Sequence, residues 1–372
     1  MKSNRKPPVA FDKTLRIGVH DQAGTLLLRS AEVIEWPFET REEYALVADL
    51  RIGSPRQTVN VSLALYSFGL AAMNSPLFHS FDQSASSTFD QTDVIYDATG
   101  QIGVIGDDVL SIGKKTFQTP VFLTIWTADR LENGWPVNNV LGFSRPPGGS
   151  STIDGLLEEL DEREVVFAHD LVCLDADSYS FAGYVTLGGR SNDRCGEQWT
   201  LVPNAATDGS WMVTVDKFSF ADSSFSTPTP AYISWGSYLT LPERHRAAIV
   251  QVFGDAFASL PCESPIEFAF AIGGLELRLK AADYLLLMSD GTSCELQVQF
   301  TTDEQFGLSA ALFKQYCLLL DYSAEQVGFS PLKRSTTCSK PTPLPSPTTP
   351  KGSSTITPAF FLLSLAFFCG DW

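Results

Sequence analysis

The sequence predicts a mainly β fold, and its composition supports this class in two ways. Glycine and proline are frequent among the 372 residues, with 27 and 22 copies, which indicates many turns. Phenylalanine, with 26 copies, is as common as lysine and arginine together, and aromatic residues favour strands. Helical periodicity is rare along the chain. Because 44% of the residues are apolar, the chain can fill a sizeable core, and a wholly disordered chain is excluded.

The charge balance excludes two classes of partner. The 26 lysine and arginine residues against 43 aspartate and glutamate residues give a formal net charge of −17. Nucleic-acid phosphates need a basic face on the protein, and so do anionic lipid headgroups. We therefore expect no nucleic-acid partner and no electrostatic attachment to a membrane.

Patterns typical of metal, cofactor or serine-hydrolase sites are missing from the sequence. The seven cysteines form no CxxC pair, and His20, His79, His169 and His245 lie far apart. The chain contains no P-loop, no GxGxxG that opens a helix and no GxSxG. We expect neither a metal nor another cofactor.

The clearest strand pattern lies between residues 44 and 65. Two apolar runs flank the turn Gly53-Ser54-Pro55, and Val59, Val61 and Leu63 alternate with polar neighbours. Period-two alternation on both sides of a turn predicts a β-hairpin. Strand-like segments continue to about residue 125.

Two segments have helical periodicity. Residues 152–163 place Ile153, Leu156, Leu157 and Leu160 on one face. Residues 242–257 begin with Pro242, which suits a first helical position, and continue with apolar residues at helical spacing.

The two ends of the chain favour different compartments. Residues 1–20 are polar and basic with no apolar signal-peptide core, and residues 1–40 carry mixed charge and are interpreted as an extension. Residues 337–358 are a linker rich in proline, serine and threonine, and residues 359–372 form a short apolar tail. The apolar stretch Ala359–Cys369 is too short to span a bilayer but resembles a glycolipid (GPI) anchor signal. The chain is expected to be secreted or at the cell surface if its N-terminus is truncated, and cytoplasmic otherwise.

An ordered set of motifs covers residues 44 to 333. These are IGSPRQTVNVSLALYSFGLAA (52–72), STFDQTDVIYDATGQIGVIGDDVL (87–110), VLGFSRP (140–146), GYVTLGG (183–189), PAYISWGSYLTLP (230–242) and FGLSAALFKQYCLLLDYSAEQVGFSP (306–331). In this order and spacing they closely resemble the pepsin-like aspartic peptidase family, family A1.

The resemblance implies a monomeric, bilobal, almost all-β acid-protease fold with a central cleft. The N-terminal lobe would comprise residues 41–200 and the C-terminal lobe residues 201–336. In the family each lobe contributes one aspartate from an Asp-Thr-Gly-Ser/Thr loop. The two carboxylates share a proton and activate a water for attack on a peptide carbonyl.

The chain departs from the family at both aspartates. The first motif falls on Ala64-Leu65-Tyr66-Ser67 and the second on Ser234-Trp235-Gly236-Ser237. No aspartate or glutamate lies between Leu50 and Phe81 or between Asp222 and Glu243, so no small shift in register restores either one. We therefore expect no catalytic residue in either loop.

Three aromatic residues change the expected cleft. Tyr66 stands where the family has a glycine, and its ring is expected to fill part of the floor. Trp235 replaces a threonine that braces the loop in the family. Together with Tyr238, these residues are expected to line an apolar cleft.

Other family features are retained or altered. Tyr96 matches the flap tyrosine that covers bound peptide, although Asp97 replaces the glycine that follows it. The resemblance implies a disulfide between Cys262 and Cys294, whereas a pairing of Cys173 with Cys195 has no family match. Asn60 begins a glycosylation sequon on a predicted core strand and is expected to be unmodified.

The sequence favours a catalytically inactive peptidase homologue. Its cleft or surface would bind a peptide, a protein or an apolar small molecule, and contact with a membrane would be made only through the C-terminal anchor. Three alternatives stay open. They are an active aspartic-type endopeptidase, a pathway enzyme that uses the cleft for another reaction, and a structural surface protein.

Overall fold

The computed structural model describes twelve segments of the chain, and the statements below concern these residues. They are 33–41, 45–65, 68–73, 81–98, 101–124, 139–145, 151–175, 178–190, 193–236, 238–255, 257–288 and 290–333.

Strands dominate the described segments. In chain order they are β1 (Ile34–Arg41), β2 (Ala45–Ile52), β3 (Gln57–Ala64), β4 (Phe68–Met73), β5 (Asp90–Ala98), β6 (Gln101–Ile112), β7 (Lys115–Thr124), β8 (Asn139–Phe143), β9 (Glu164–Asp175), β10 (Ser178–Leu187), β11 (Thr200–Pro203), β12 (Met212–Val215), β13 (Lys217–Phe220), β14 (Ser223–Phe225), β15 (Thr229–Ile233), β16 (Leu239–Pro242), β17 (Phe268–Ile272), β18 (Leu275–Leu279), β19 (Leu285–Leu287), β20 (Cys294–Leu296), β21 (Val298–Thr301), β22 (Phe306–Leu308), β23 (Tyr316–Asp321) and β24 (Gln326–Pro331). The helices are α1 (Thr152–Glu158), α2 (Arg246–Phe253), α3 (Ala281–Tyr284) and α4 (Ala310–Phe313).

The described strands form one large sheet and three smaller ones. The large sheet has 13 strands in the order β11-β24-β23-β9-β10-β1-β2-β3-β8-β4-β7-β6-β5. The smaller sheets have the orders β12-β15-β22-β16-β21, β14-β13-β17-β18 and β19-β20. This arrangement confirms the predicted all-β class with few short helices.

One strand arrangement occurs twice, once in each half of the chain. In the first half, β8 lies between β3 and β4, parallel to β3 and antiparallel to β4, and β7 runs parallel to β4. In the second half, β22 lies in the same way between β15 and β16, and β21 runs parallel to β16. This repeat agrees with the predicted bilobal architecture.

The hairpin predicted for residues 44–65 is confirmed. β2 and β3 pair antiparallel, from Val47 opposite Ser62 to Ile52 opposite Gln57. Gly53 is required at the turn for two reasons. Its φ is 81°, and a Cβ there would meet the hydroxyl of Ser86 at 2.6 Å.

The predicted extension at residues 1–40 is too long. β1 pairs antiparallel with both β10 and β2, so residues from Ile34 onward belong to the large sheet. Ile34, Trp36 and Phe38 are buried, whereas the residues between them are exposed. This alternation fits a strand with one face on the core.

The two predicted helices exist but are shorter than predicted. α1 begins after Ser151, which forms a capping box with Asp154, and it ends at Glu158 because the chain then turns into β9. Pro242 is the last residue of β16 and not a first helical residue. A short 3-10 turn over Glu243–His245 leads into α2.

The described residues contain two disulfides, one of which the resemblance implies. Cys262 bonds Cys294 as expected. Cys195 bonds Cys317, which excludes the pairing with Cys173 that the sequence left open. The reason is the sheet register, because Cys195 bridges Leu332 just beyond β24, and β24 brings Ser330 opposite Cys317 on β23.

None of the helices in the described segments is long and apolar enough to cross a membrane. The linker at residues 337–358 and the tail at residues 359–372 lie outside the described residues.

Candidate functional site

The first site loop leaves the end of β3. Ala64 is buried and lies opposite Gly142 on β8, and Leu65 is buried after it. The hydroxyl of Ser144 donates a 2.5 Å hydrogen bond to the carbonyl oxygen of Leu65, which fixes the backbone at this point. Tyr66 and Ser67 lie outside the described residues, so the predicted crowding of the floor by Tyr66 stays a prediction.

The second site loop, residues 234–238, leaves β15. The backbone nitrogen of Ser234 donates to the carbonyl oxygen of Leu308 at 3.0 Å, and that of Ala310 donates to the carbonyl oxygen of Gly236 at 3.1 Å. The loop is thus held by β22 and α4. Ser234 is half-buried and Gly236 is exposed, whereas Ser237 lies outside the described residues.

Neither loop presents a carboxylate in its described part. Ala64 has a methyl group that neither donates nor accepts a proton. The Ser234 hydroxyl accepts a 3.3 Å hydrogen bond from the backbone nitrogen of Gly236. That donor would stabilise a carboxylate at position 234, but the serine hydroxyl is a very weak acid with no base beside it.

The two buried carboxylates among the described residues are engaged elsewhere. Asp108 accepts hydrogen bonds from the hydroxyls of Ser86 and Thr88 at 2.9 and 2.6 Å. Asp154 pairs with the guanidinium groups of Arg145 and Arg163 at 2.9 and 2.6 Å. Because each has its own partners and neither contacts the other, they do not form a proton-sharing pair.

Asp154 carries charge in the folded protein. Burial alone would raise its pKa, but hydrogen bonds from Arg145 and Ser151 and the charge of Arg145 outweigh burial and lower the pKa. Arg145 also donates to the carbonyl oxygen of Tyr322 at 2.7 Å, so this carboxylate helps to join the two halves of the chain.

Trp235 does not line a cleft, and that prediction is wrong. Its side chain is 6% exposed and packs inward on three rings, with centroid distances of 4.9 Å to Phe167, 5.7 Å to His169 and 4.9 Å to Phe313. The indole ring therefore supports the loop from beneath and joins it to β9 and α4. Tyr238 is exposed on the same loop.

His169 is a residue of this site that the sequence did not indicate. It lies on β9, is 4% exposed, and contacts Phe38 as well as Trp235, with centroids 5.2 Å apart in the first contact. Burial lowers its pKa from 6.5 to about 4, and the charge of Lys314 contributes. Its Nδ1 and the Trp235 Nε1 are both buried without a hydrogen-bond partner in the described structure.

A junction between the two halves lies next to the first loop. The carbonyl oxygen of Phe143 accepts hydrogen bonds from Trp211 Nε1 at 2.7 Å and from the Tyr322 hydroxyl at 2.5 Å. Phe143 also contacts Phe167, with ring centroids 5.0 Å apart, and Phe167 in turn contacts Trp235. One aromatic series thus runs beneath both site loops.

We expect Trp235→Ala to lower the free energy of unfolding by about 3–5 kcal/mol, because it would open a cavity beneath the second loop. Trp235→Phe keeps a ring in this place and is expected to lose less than half as much. Urea unfolding at pH 7 measures both variants. A Trp235→Ala chain as stable as the parent would contradict the supporting role of this side chain.

The predicted flap is a hairpin of β5 and β6. Tyr96 lies opposite Gly103, and Asp97 lies opposite Ile102. The side chains of Tyr96 and Asp97 lie outside the described residues, so their role over a bound ligand stays a prediction.

Asn60 is expected to carry no glycan. Its side-chain nitrogen, to which a glycan would attach, donates to the Asp49 carboxylate at 2.5 Å, and its carbonyl oxygen accepts from Asn139 at 3.0 Å. We therefore predict that a full chain made in a secretory host keeps its mass after removal of N-linked glycans. A loss of mass that disappears in Asn60→Gln would contradict this.

Comparisons with known proteins show which family and which relatives this chain resembles. A family model described as eukaryotic aspartyl protease matches residues 45–332. A relative from Trichophyton verrucosum (strain HKI 0517), named probable aspartic-type endopeptidase CTSD, is 24% identical over 290 residues, which cover 72% of this chain and 56% of the relative. A relative of the same name from Arthroderma benhamiae (strain ATCC MYA-4681 / CBS 112371) matches with the same identity and coverage. The chain therefore spans little more than half the length of these relatives.

Proposed function

This chain belongs to the eukaryotic aspartyl protease family, and on that premise we propose that it is an inactive member that binds a ligand in its cleft. The observation that carries the proposal is the paired replacement of the two family aspartates by Ala64 and Ser234. Loss of one member of a cooperating catalytic pair removes most of the rate, and here both are replaced.

The supports of the second loop favour a retained binding role. Backbone hydrogen bonds from β22 and α4 still hold residues 234–236, although the residue they position has no carboxylate. Gly236 and Tyr238 are exposed, so the surface of this loop includes a backbone segment and part of an aromatic ring. Pockets of this kind are mostly apolar with a few polar groups, which suits a peptide or an apolar small molecule.

The proposal extends to organisation and compartment. We propose a monomer with lobes at residues 41–200 and 201–336, the N-terminal lobe now preceded by β1. The disulfides Cys195–Cys317 and Cys262–Cys294 favour an oxidising compartment, so we propose secretion or display at the cell surface. An anchor signal at residues 359–372 would serve that location.

Binding is tested with a random decapeptide library presented to the full chain at pH 7. The blocking variant is Gly236→Trp. A Cβ at this position has the Ser234 hydroxyl at 3.4 Å as its nearest neighbour, and the backbone is not left-handed, so a side chain can start here without backbone strain. The matched control is Ser224→Trp, which adds the same ring at an exposed position on β14.

We expect the parent chain and Ser224→Trp to select the same peptides, and Gly236→Trp to bind them at least tenfold more weakly. Equal binding by all three chains would place the binding surface outside the cleft. Selection of no peptide by the parent would contradict the proposal for peptides and leave an apolar small molecule as the ligand class.

A further inference from the structure

Two buried histidines lie behind the loop formed by residues 234–238. His169 contacts Trp235 from β9. His245, 2% exposed at the start of α2, stacks on Phe306 of β22 with ring centroids 5.6 Å apart. β22 ends in Leu308, whose carbonyl oxygen accepts from Ser234. His169 therefore packs against Trp235 of the loop itself, and His245 packs against β22, which holds the loop.

We infer that His169 and His245 make the loop acid-sensitive: as neutral rings they hold it in place, and on protonation they release it. This regulates the site of the proposed function, and its consequence for ligand binding rests on that function. The release itself is a property of the chain without ligand.

The surroundings of His245 favour the neutral ring. Phe218, Phe225 and Phe306 surround it, with centroids 5.2, 4.5 and 5.6 Å away, and both ring nitrogens are buried without a partner in the described structure. A protonated ring would bring two N–H donors into this apolar site. Attraction to the phenyl faces offsets part of this cost but supplies no hydrogen-bond acceptor.

Charged groups near both histidines oppose protonation. Arg244 lies beside His245, and its own guanidinium is held by the Thr229 hydroxyl at 2.8 Å and by Glu304. Lys314, at the end of α4, is the charged group that acts on His169 among the described residues. The two rings that contact His169 in the described residues, Phe38 of β1 and Trp235, are uncharged.

The loop is the element that can yield when a ring becomes charged. His169 and Phe38 belong to strands paired on both sides within the 13-stranded sheet, whereas Trp235 belongs to the connection between β15 and β16, whose described backbone hydrogen bonds join Ser234 to Leu308 and Gly236 to Ala310. Local opening occurs first where few backbone hydrogen bonds must break. Charging His169 therefore displaces Trp235. Because β22 is paired with β15 and β16, charging His245 acts by weakening the packing of Phe306 and, through Leu308, the hydrogen bond that holds Ser234.

The release is measured by fluorine NMR on the full chain labelled with 5-fluorotryptophan. Trp235→Phe assigns the Trp235 signal by its disappearance. Trp36 and Trp211 serve as internal references, because their ring nitrogens donate to the carbonyl oxygens of Asp49 and Phe143 at 2.9 and 2.7 Å. The test variant carries His169→Leu and His245→Leu. The matched control is Phe225→Leu, which removes a ring beside His245 and keeps both histidines.

We expect the Trp235 signal to move to a solvent-exposed position between pH 5 and pH 4, while the signals of Trp36 and Trp211 stay. In the doubly substituted chain the midpoint should fall by at least one pH unit, and in Phe225→Leu the midpoint should stay below pH 5. The inference is overturned if the midpoint is unchanged without the histidines, if all three signals move together, or if the Trp235 signal does not move.

This outcome is separable from the proposed function. If no peptide binds at pH 7, the proposed function fails for peptides, whereas the titration of Trp235 still decides the inference. If peptides bind, their affinity in the parent should fall about twofold at the pH midpoint measured for Trp235 and at least tenfold one pH unit below it, and by no more than twofold at the same pH in the doubly substituted chain.

Discussion

Lowering the pH from 7 to 4 is expected to remove about 3 kcal/mol of the free energy of unfolding for each of His169 and His245. Both have a folded-state pKa of about 4 against 6.5 for the exposed side chain, chiefly because burial disfavours the charged ring. A lowered histidine pKa means that the unfolded chain binds the proton first. The contribution of each histidine to the free energy of unfolding is therefore fully present above pH 6.5 and is lost as the pH falls towards 4.

Carboxylates act in a different pH window, which makes the assignment testable. Burial alone would raise the pKa of Asp154, but its hydrogen bonds outweigh burial and lower the pKa below the usual 3.8. Its contribution to the free energy of unfolding is therefore lost mainly below pH 4. Urea unfolding at pH 7, 5.5 and 4.5 therefore reports mainly the histidines. We expect the chain with His169→Leu and His245→Leu to lose less than half as much stability across this window as the parent. An equal loss would contradict the assignment.

Restoring both aspartates is expected to leave the chain about 100-fold less active than restoring them together with a glycine at position 66. In the Ala64→Asp, Ser234→Asp variant, the backbone nitrogen of Gly236 is placed to donate to the second carboxylate, as it now donates to Ser234. The resemblance, however, implies that Tyr66 replaces a family glycine, so we expect its ring to remain in the floor of this variant. A displacement of the reacting groups by about 1 Å costs about 100-fold in rate.

The measurement is kcat/KM on a quenched peptide substrate at pH 5, where the two carboxylates can share a proton. The third substitution is Tyr66→Gly, and its control is Tyr66→Phe, which keeps the ring and removes the hydroxyl. We expect activity with Tyr66→Gly and not with Tyr66→Phe. If the variant with two aspartates alone equals the variant with Tyr66→Gly, the ring is not an obstacle. If the variant with two aspartates and the variant that also carries Tyr66→Gly are both inactive, the chain has lost more than the two carboxylates and the space that a glycine at position 66 would leave.

The sequence was informative where local patterns determine structure. The alternation of Val59, Val61 and Leu63 around a glycine turn predicts the β2–β3 hairpin, because sterics and burial along two adjacent strands suffice. The same alternation at Ile34, Trp36 and Phe38 could have shown that β1 belongs to the sheet. The spacing from Ser234 to Pro242 predicts a short loop between two strands, and the structure has such a connection between β15 and β16.

The sequence was uninformative where contacts join distant segments. Whether the Trp235 ring faces a cleft or the interior depends on Phe167 and Phe313, each far away along the chain. Cys195 bonds Cys317 across 122 residues because sheet pairing brings them together. The role of His169 depends on the same tertiary contacts, and nothing in its neighbouring residues indicates them.

Peptide cleavage by the unmodified full chain tests the central claim most directly. The chain is incubated with a broad quenched-peptide library from pH 4.5 to 7, with and without a statine-type transition-state inhibitor, and near-UV circular dichroism verifies the fold at each pH. We predict that cleavage equals that of buffer wherever the chain is folded. Cleavage that the inhibitor blocks would mean that carboxylates reach the site, and it would contradict the assignment of Ala64 and Ser234 as the residues that replace the catalytic pair.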